Sequence, residues 1–205
     1  MTHVLTGVVG TNDRLIAEVA RLYLKPGMKI ADVTYGRGVF WKKTDLTPFT
    51  FLPTDLIPLN ENIVKADLRQ LPYENDSIDV VVFDPPYMHS SKYKTVKASI
   101  ANCYKNNNFE GFGSHASVIE FYAKGMKEAC RVLKPDGQLW VKCQDEIESS
   151  HQRWSHIELW GEALDLKLVP WDLFVLVSKT IPASRWPHQL HARKSHSYLW
   201  IFKKP

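Results

Sequence analysis

The 205-residue chain lacks most of the features that would set it apart from an ordinary globular protein. It has no run approaching the ~18 apolar residues that a membrane-spanning helix requires, so no membrane association is expected. Its opening residues, MTHVLTGVVGTNDR, show no basic start followed by a long apolar stretch, and no secretory signal is expected. Three cysteines, Cys103, Cys130 and Cys143, are an odd number at spacings that match no zinc pattern. They argue against a disulfide framework and for reduced thiols in a cytoplasmic protein. Internal repeats, low-complexity tracts and interdomain linkers are also missing, so residues 1–205 read as one domain. With 44% hydrophobic and 23% charged residues, the composition excludes a disordered or fibrous chain.

Two segments combine four or more basic residues with no acid. Residues 88–109 hold Lys92, Lys94, Lys97 and Lys105 without an acid, and residues 181–205 hold Arg185, Arg193, Lys194, Lys203 and Lys204 without one. The net charge is +4, so the rest of the chain is acidic. Basic charge confined in this way suits a polyanion, although solvated loops and a basic C-terminus would give the same pattern.

What is present alternates between helical and strand periodicity. Leu15, Ile16, Val19, Ala20 and Leu22 are spaced for a helix over 12–24, stopped by Lys-Pro-Gly. Strands are expected at 28–33, 49–54 and 63–66, and at Ile78–Phe83, whose IDVVVF reads as buried on both faces. A helix over 117–133 ends at Lys134-Pro135-Asp136-Gly137, a break before a strand at 138–142. A helix at 154–166 precedes strands at 173–178 and 197–203. No helix separates those last two strands, so at least one runs antiparallel. The expected fold is α/β, three layers around a mostly parallel sheet.

Ligands of such sheets gather at the carboxyl ends of the strands, and four expected ends carry distinctive residues. The first reads Asp32-Val33-Thr34-Tyr35-Gly36-Arg37-Gly38, where glycines let the backbone approach a ligand closely. A phosphate loop is excluded, because Gly-Lys-Ser/Thr is absent and so is the third glycine of the dinucleotide pattern. Asp55 ends the second strand, placed to accept from ribose hydroxyls or to cap a helix. Asp67, followed by Leu68, ends the third, where an acid could meet an adenine amino group or again serve as a cap. The fourth end, Asp84-Pro85-Pro86-Tyr87, is the most specific: two prolines fix a rigid arc of acceptors beside an aromatic ring.

These residues resemble the S-adenosylmethionine-dependent amino-methyltransferases of DNA. D-P-P-Y stands unaltered at 84–87, and the family's D-P-F-x-G-x-G loop is matched at 32–38 except for its proline. The resemblance spans about residues 10–145, with His196-Ser197-Tyr198-Leu199 similar to the family's last strand. It implies a Rossmann-like class I methyltransferase fold whose last strand is antiparallel. The cofactor loop precedes D-P-P-Y, as in the adenine-modifying group. By this resemblance Asp84, Pro85, Pro86 and Tyr87 are catalytic. Asp32, Thr34, Tyr35, Gly36 and Gly38 hold the methionine end of S-adenosylmethionine, Asp55 the ribose, and Asp67 with Leu68 the adenine. The segment at Thr11 and Asn12 would cover the methionine carboxylate, although a helix N-cap accounts for it as well.

The resemblance implies transfer of a methyl group to the 6-amino group of a flipped DNA adenine, with RNA bases or the cytosine 4-amino group as alternatives. A non-catalytic subunit that only binds nucleic acid would be expected to have lost the glycine loop or D-P-P-Y. Target recognition is expected at 88–115 and 180–195. Lys92, Tyr93, Lys94, Lys97, Arg185, Arg193 and Lys194 are the candidate nucleic-acid contacts, with Tyr104, Phe109 and Phe112 able to stack. His188, His191 and His196 invite a metal, but this chemistry needs none and none is expected. A chain this small suits a short recognition sequence, a homodimer or a specificity partner.

Overall fold

Alternating apolar strands with amphipathic helices places the helices on the two faces of a shared sheet. The computed structural model has this arrangement over the residues it describes, 3–87, 112–179 and 189–205. Chain order gives β1 (Gly7–Gly10), α1 (Asn12–Tyr23), β2 (Lys29–Asp32), a 3-10 turn (Val39–Trp41), β3 (Thr50–Asp55), β4 (Val64–Lys65) and β5 (Ile78–Phe83). Then follow α2 (His115–Val132), β6 (Leu133–Cys143), β7 (Glu146–Glu148), β8 (His151–Arg153), α3 (Ser155–Asp165), β9 (Val169–Ser178) and β10 (His196–Lys203). The eight-stranded sheet is ordered β1-β9-β10-β6-β5-β2-β3-β4. Within it β10 runs antiparallel to both β6 and β9, and the other described pairings are parallel.

Burial follows the sequence pattern. Val80, Val81, Val82 and Phe83 of β5 are fully buried between the two helical layers. One layer is α1 with the 3-10 turn, packing Leu15, Ile16, Val19, Phe40 and Trp41 on the sheet. The other is α2 with α3, packing Val118, Tyr122, Met126, Leu159 and Ala163. Leu22, counted with the apolar stripe of α1, instead faces solvent.

Three features depart from the sequence reading. Strand β1, unforeseen, pairs with β9 through a four-residue GVVG segment too short and glycine-rich to carry a strand signal. The β7–β8 hairpin turns through Ser149 and Ser150, both at positive φ (48° and 63°), without the Asn-Gly or Asp-Gly that usually marks such a turn. The Lys134–Gly137 stretch is no break. β6 runs through it, Asp136 takes φ 62°, and the register with β5 shifts between Ile78 and Val80. Hydrogen bonds from the Asp136 amide to the Lys204 carbonyl and from the Lys204 amide to the Gly137 carbonyl, both 2.9 Å, hold this irregularity.

Helix α2 lies so close to the sheet that Gly125 is sterically required. A Cβ there would sit 2.5 Å from Leu68 Cδ1 and 2.5 Å from Phe83 Cε2. Gly125→Ala gains ~1 kcal/mol of helix propensity but forces overpacking that costs ~1–3 kcal/mol. The expected outcome is net destabilisation in urea unfolding, and an unchanged or raised midpoint would mean the helix can lift from the sheet freely.

Candidate functional site

The strand order reverses between β2 and β5, and the loops leaving these two strands and β3 converge on one cleft. The cleft encloses ≈ 580 Å³ including its open mouth. Of the residues singled out in the sequence, Thr34, Gly36, Asp55, Asp67, Leu68, Asp84, Pro85 and Pro86 line it. Its apolar wall also includes Val33, Leu56, Ile57 and Phe121. Sequence reasoning missed these four. Leu56 and Ile57 directly follow the Asp55 strand end and were accessible to it, whereas Phe121 looks like any apolar residue of an amphipathic helix.

The loop after β2 is built by hydrogen bonds within the chain. Asp32 is buried and does not line the cleft. Its carboxylate accepts from the Thr34 amide at 3.1 Å and the Trp41 indole N–H at 2.7 Å. Burial raises its pKa to about 7 against the lowering effect of those donors. Asp32 therefore shapes the loop from beneath. Tyr35 also lies outside the lining, with its ring edge-on to Phe51 and folded over Gly38. A Cβ on Gly38 would fall 2.5 Å from the Tyr35 hydroxyl, so this glycine at φ 65° makes room for the Tyr35 side chain. Gly36 is different. At φ 53° it lines the cleft, and the nearest atom to a built Cβ is the Thr34 carbonyl oxygen at 3.9 Å. A side chain there would project into the space left for a ligand.

Two acids stand at the rim. Asp55 accepts from the Gly36 amide at 2.7 Å and the Ile57 amide at 2.9 Å, which joins the loops after β2 and β3. Each carboxylate oxygen keeps lone-pair capacity for a hydroxyl donor. Asp67 is held by Arg69, whose Nη2 lies 2.6 Å from Oδ2, and this hydrogen-bonded guanidinium lowers its pKa. Arg69 in turn lies over the Phe121 ring at 5.3 Å from its centroid.

The Asp84 amide donates to the Thr34 hydroxyl at 2.8 Å, docking the D-P-P-Y turn onto the first loop. Among the described residues its buried Oδ1 has no hydrogen-bond partner. Burial is the main cause of a pKa raised to about 7, opposed by Lys142 and reinforced by Asp32. Tyr87 is partly buried beside the cleft, with the Lys142 ammonium 5.8 Å from its ring centroid. Burial also pushes its hydroxyl pKa upward.

Of the expected nucleic-acid contacts, Lys92, Tyr93, Lys94, Lys97 and Arg185 lie outside the described residues. Arg193 is exposed, and Lys194 donates to Gln152 and sits 5.7 Å from the centroid of Trp154. Among the described residues no helix is long and apolar enough to cross a membrane.

Comparison with known proteins fixes the family. Residues 78–205, more than half of the chain, match the model of the N6/N4 DNA methylases. The chain belongs to the DNA methylase family. It is 29% identical over 69 residues to the type II methyltransferase M2.MboI of Moraxella bovis, a match covering 34% of this chain and only 25% of that protein. A methyltransferase of Methanosarcina mazei described as SAM-dependent shares the fold, with TM-score 0.54 at 13% identity over 91% of this chain and 96% of that one. So does a Burkholderia thailandensis 1,6-didemethyltoxoflavin-N1-methyltransferase, with TM-score 0.56 at 12% identity over 95% of this chain and 78% of that one.

Membership of the DNA methylase family indicates S-adenosylmethionine as the cofactor, and the cleft fits it. The glycine at 36 leaves room, acceptors stand at Asp55 and Asp67, and apolar walls at Leu56, Ile57 and Leu68 suit a purine. Asp55 both shapes the loop and faces the cleft. Asp55→Ala removes hydrogen bonds to a charged acceptor worth ~1.5–3 kcal/mol, so cofactor affinity measured by calorimetry should fall ~10- to 100-fold. Unchanged affinity would remove Asp55 from the binding site.

Proposed function

We propose that this chain transfers the methyl group of S-adenosylmethionine to the 6-amino group of adenine in DNA. The observation that carries the proposal is the buried Asp84 Oδ1, which has no hydrogen-bond partner among the described residues and belongs to a residue that lines the cofactor cleft together with Pro85. A buried acceptor without a donor is costly, and a substrate N–H would relieve that cost. Asp84, rather than serine, at the start of D-P-P-Y favours adenine over the cytosine 4-amino group.

The bound sulfonium supplies an electrophilic methyl group. The difficulty lies with the nucleophile, because an aromatic amine delocalises its lone pair into the ring. Hydrogen bonds from the amine to the Asp84 carboxylate and the Pro85 carbonyl favour a pyramidal nitrogen with a localised lone pair. The Tyr122 hydroxyl leaves the Pro85 carbonyl able to accept. It donates at 2.8 Å to the Lys142 carbonyl and is 3.4 Å from Pro85 O. The methyl group would come from the cofactor, and the attacking nitrogen would then have one proton to lose. Asp84, with its pKa near neutrality, is a suitable acceptor for that proton.

Flipping the base out of duplex DNA costs a few kcal/mol, which stacking on Tyr87 offsets by ~1–3 kcal/mol. Lys92, Tyr93, Lys94, Lys97, Arg185, Arg193 and Lys194 would contact the backbone and neighbouring bases.

The test is to incubate labelled S-adenosylmethionine with unmethylated genomic DNA and, separately, with total RNA, and to digest each product to nucleosides. Label is expected in N6-methyldeoxyadenosine. Label in methylated deoxycytidine or only in RNA would overturn the substrate. Asp84→Ala should abolish turnover with cofactor binding largely intact, and equal loss of both would overturn the role given to Asp84.

A further inference from the structure

Lys142 is 1% exposed, on a central strand among Trp140, Val141 and Cys143, which are themselves buried. An ammonium at such a position costs several kcal/mol unless it is compensated. One hydrogen bond is in place, from Nζ to the Ser197 hydroxyl of β10 at 2.6 Å. The compensating charge comes from β5. Phe83 pairs with Val141 in the parallel register of β5 and β6, and one further step sets Asp84 abreast of Lys142. The backbone is tied here too, since the Tyr122 hydroxyl that binds the Lys142 carbonyl also approaches the Pro85 carbonyl. Asp84 Oδ1 is meanwhile buried without a hydrogen-bond partner among the described residues.

We propose that Lys142 is a positioning residue for methyl transfer: its Ser197-anchored ammonium is the buried counter-charge that keeps Asp84 a carboxylate, able to accept from the target amine. The inference rests on the role given to Asp84 above. A protonated Asp84 presents an O–H and loses part of its capacity to accept, so turnover requires the ionised form. Burial and the Asp32 carboxyl on β2 both oppose ionisation, and Lys142 favours it. Facing the same pair are Tyr87 from the turn itself and Cys143 from β6, and Asp145 just beyond β6 acts on Cys143. The Cys143 thiol is pushed upward by its burial and is neutral across the working range, and Asp145 is paired with His156 at 2.7 Å. Among the described residues, Lys142 is thus the cation that acts on Asp84.

The sign of the effect follows. An acid required in its ionised form gives activity that rises with pH through its pKa, and removing a neighbouring cation moves that rise upward by ~1–3 pH units. The experiment measures kcat/KM against pH on DNA for the wild type, Lys142→Met and Lys142→Arg, with cofactor binding of each by calorimetry. Lys142→Met is expected to bind cofactor, to fall about tenfold or more at pH 7, and to recover towards wild-type activity by pH 9. Lys142→Arg keeps the cation and should restore the wild-type profile. A Lys142→Met enzyme that binds cofactor but loses the same factor at every pH, or loses nothing, would overturn the proposal and leave Lys142 a structural tie. Should Lys142→Met fail to fold, Ser197→Ala, which releases the ammonium from its anchor, is expected to shift the rise in the same direction by less, and an unmoved profile overturns the proposal. A wild-type chain that methylates no nucleic acid, or an Asp84→Ala variant with full turnover, would instead overturn the underlying role of Asp84 together with this inference.

Discussion

The hydrogen bond from the Asp84 amide to the Thr34 hydroxyl joins the two loops on which the site depends. Thr34 is fixed in turn by its own amide, which donates to the buried Asp32 carboxylate. The Tyr35 amide donates to the Thr54 carbonyl, and the Gly36 amide to Asp55, so the loop after β2 is stitched to β3 on one side and to the D-P-P-Y turn on the other. The methyl donor and acceptor must approach along one line, and misalignment by about 1 Å can cost ~100-fold in rate. Backbone amides tied to short, fixed side-chain acceptors and to a neighbouring strand meet that demand.

The same end of the sheet concentrates charge where solvent is scarce. Asp32 and Lys142 are buried and Asp84 has a buried carboxylate oxygen, and loss of solvent raises both carboxyls and depresses the lysine. Only Asp32 has its two oxygens satisfied by protein donors. A chain selected for stability alone would fill these positions with apolar residues. Their retention, with Asp84 Oδ1 unpartnered, is the pattern expected where local stability has been given up for chemistry.

Much of the architecture was legible because it is written in local patterns. The β-branched run of β5, the stripe of Leu15, Ile16 and Val19, and the missing helix before β10 each constrain the fold without reference to distant residues. Strand β1 was not legible, since a glycine-flanked pair of valines has no local reason to extend and is a strand only because β9 offers an edge. The β7–β8 hairpin was hidden for a related reason. Its Ser149-Ser150 turn is held by the strands and by the Glu148–Arg153 ion pair at 2.8 Å, not by turn-forming residues.

For the site, the chain by itself determined which residue types stand at the four strand ends, because order along the sequence and strand polarity fix what reaches the carboxyl edge. It could not assign their partners. Only the tertiary structure decided that Asp32 serves the loop from below, that Gly38 makes room for Tyr35, and that Asp67 is held by Arg69. Phe121 likewise became a cleft residue only when α2 was packed against the strand ends. Lys142 carries no motif, and in sequence it is one charge in an apolar strand. Its significance comes from the parallel register that sets β6 beside β5, since electrostatic coupling depends on distance and burial, and both are properties of the folded chain.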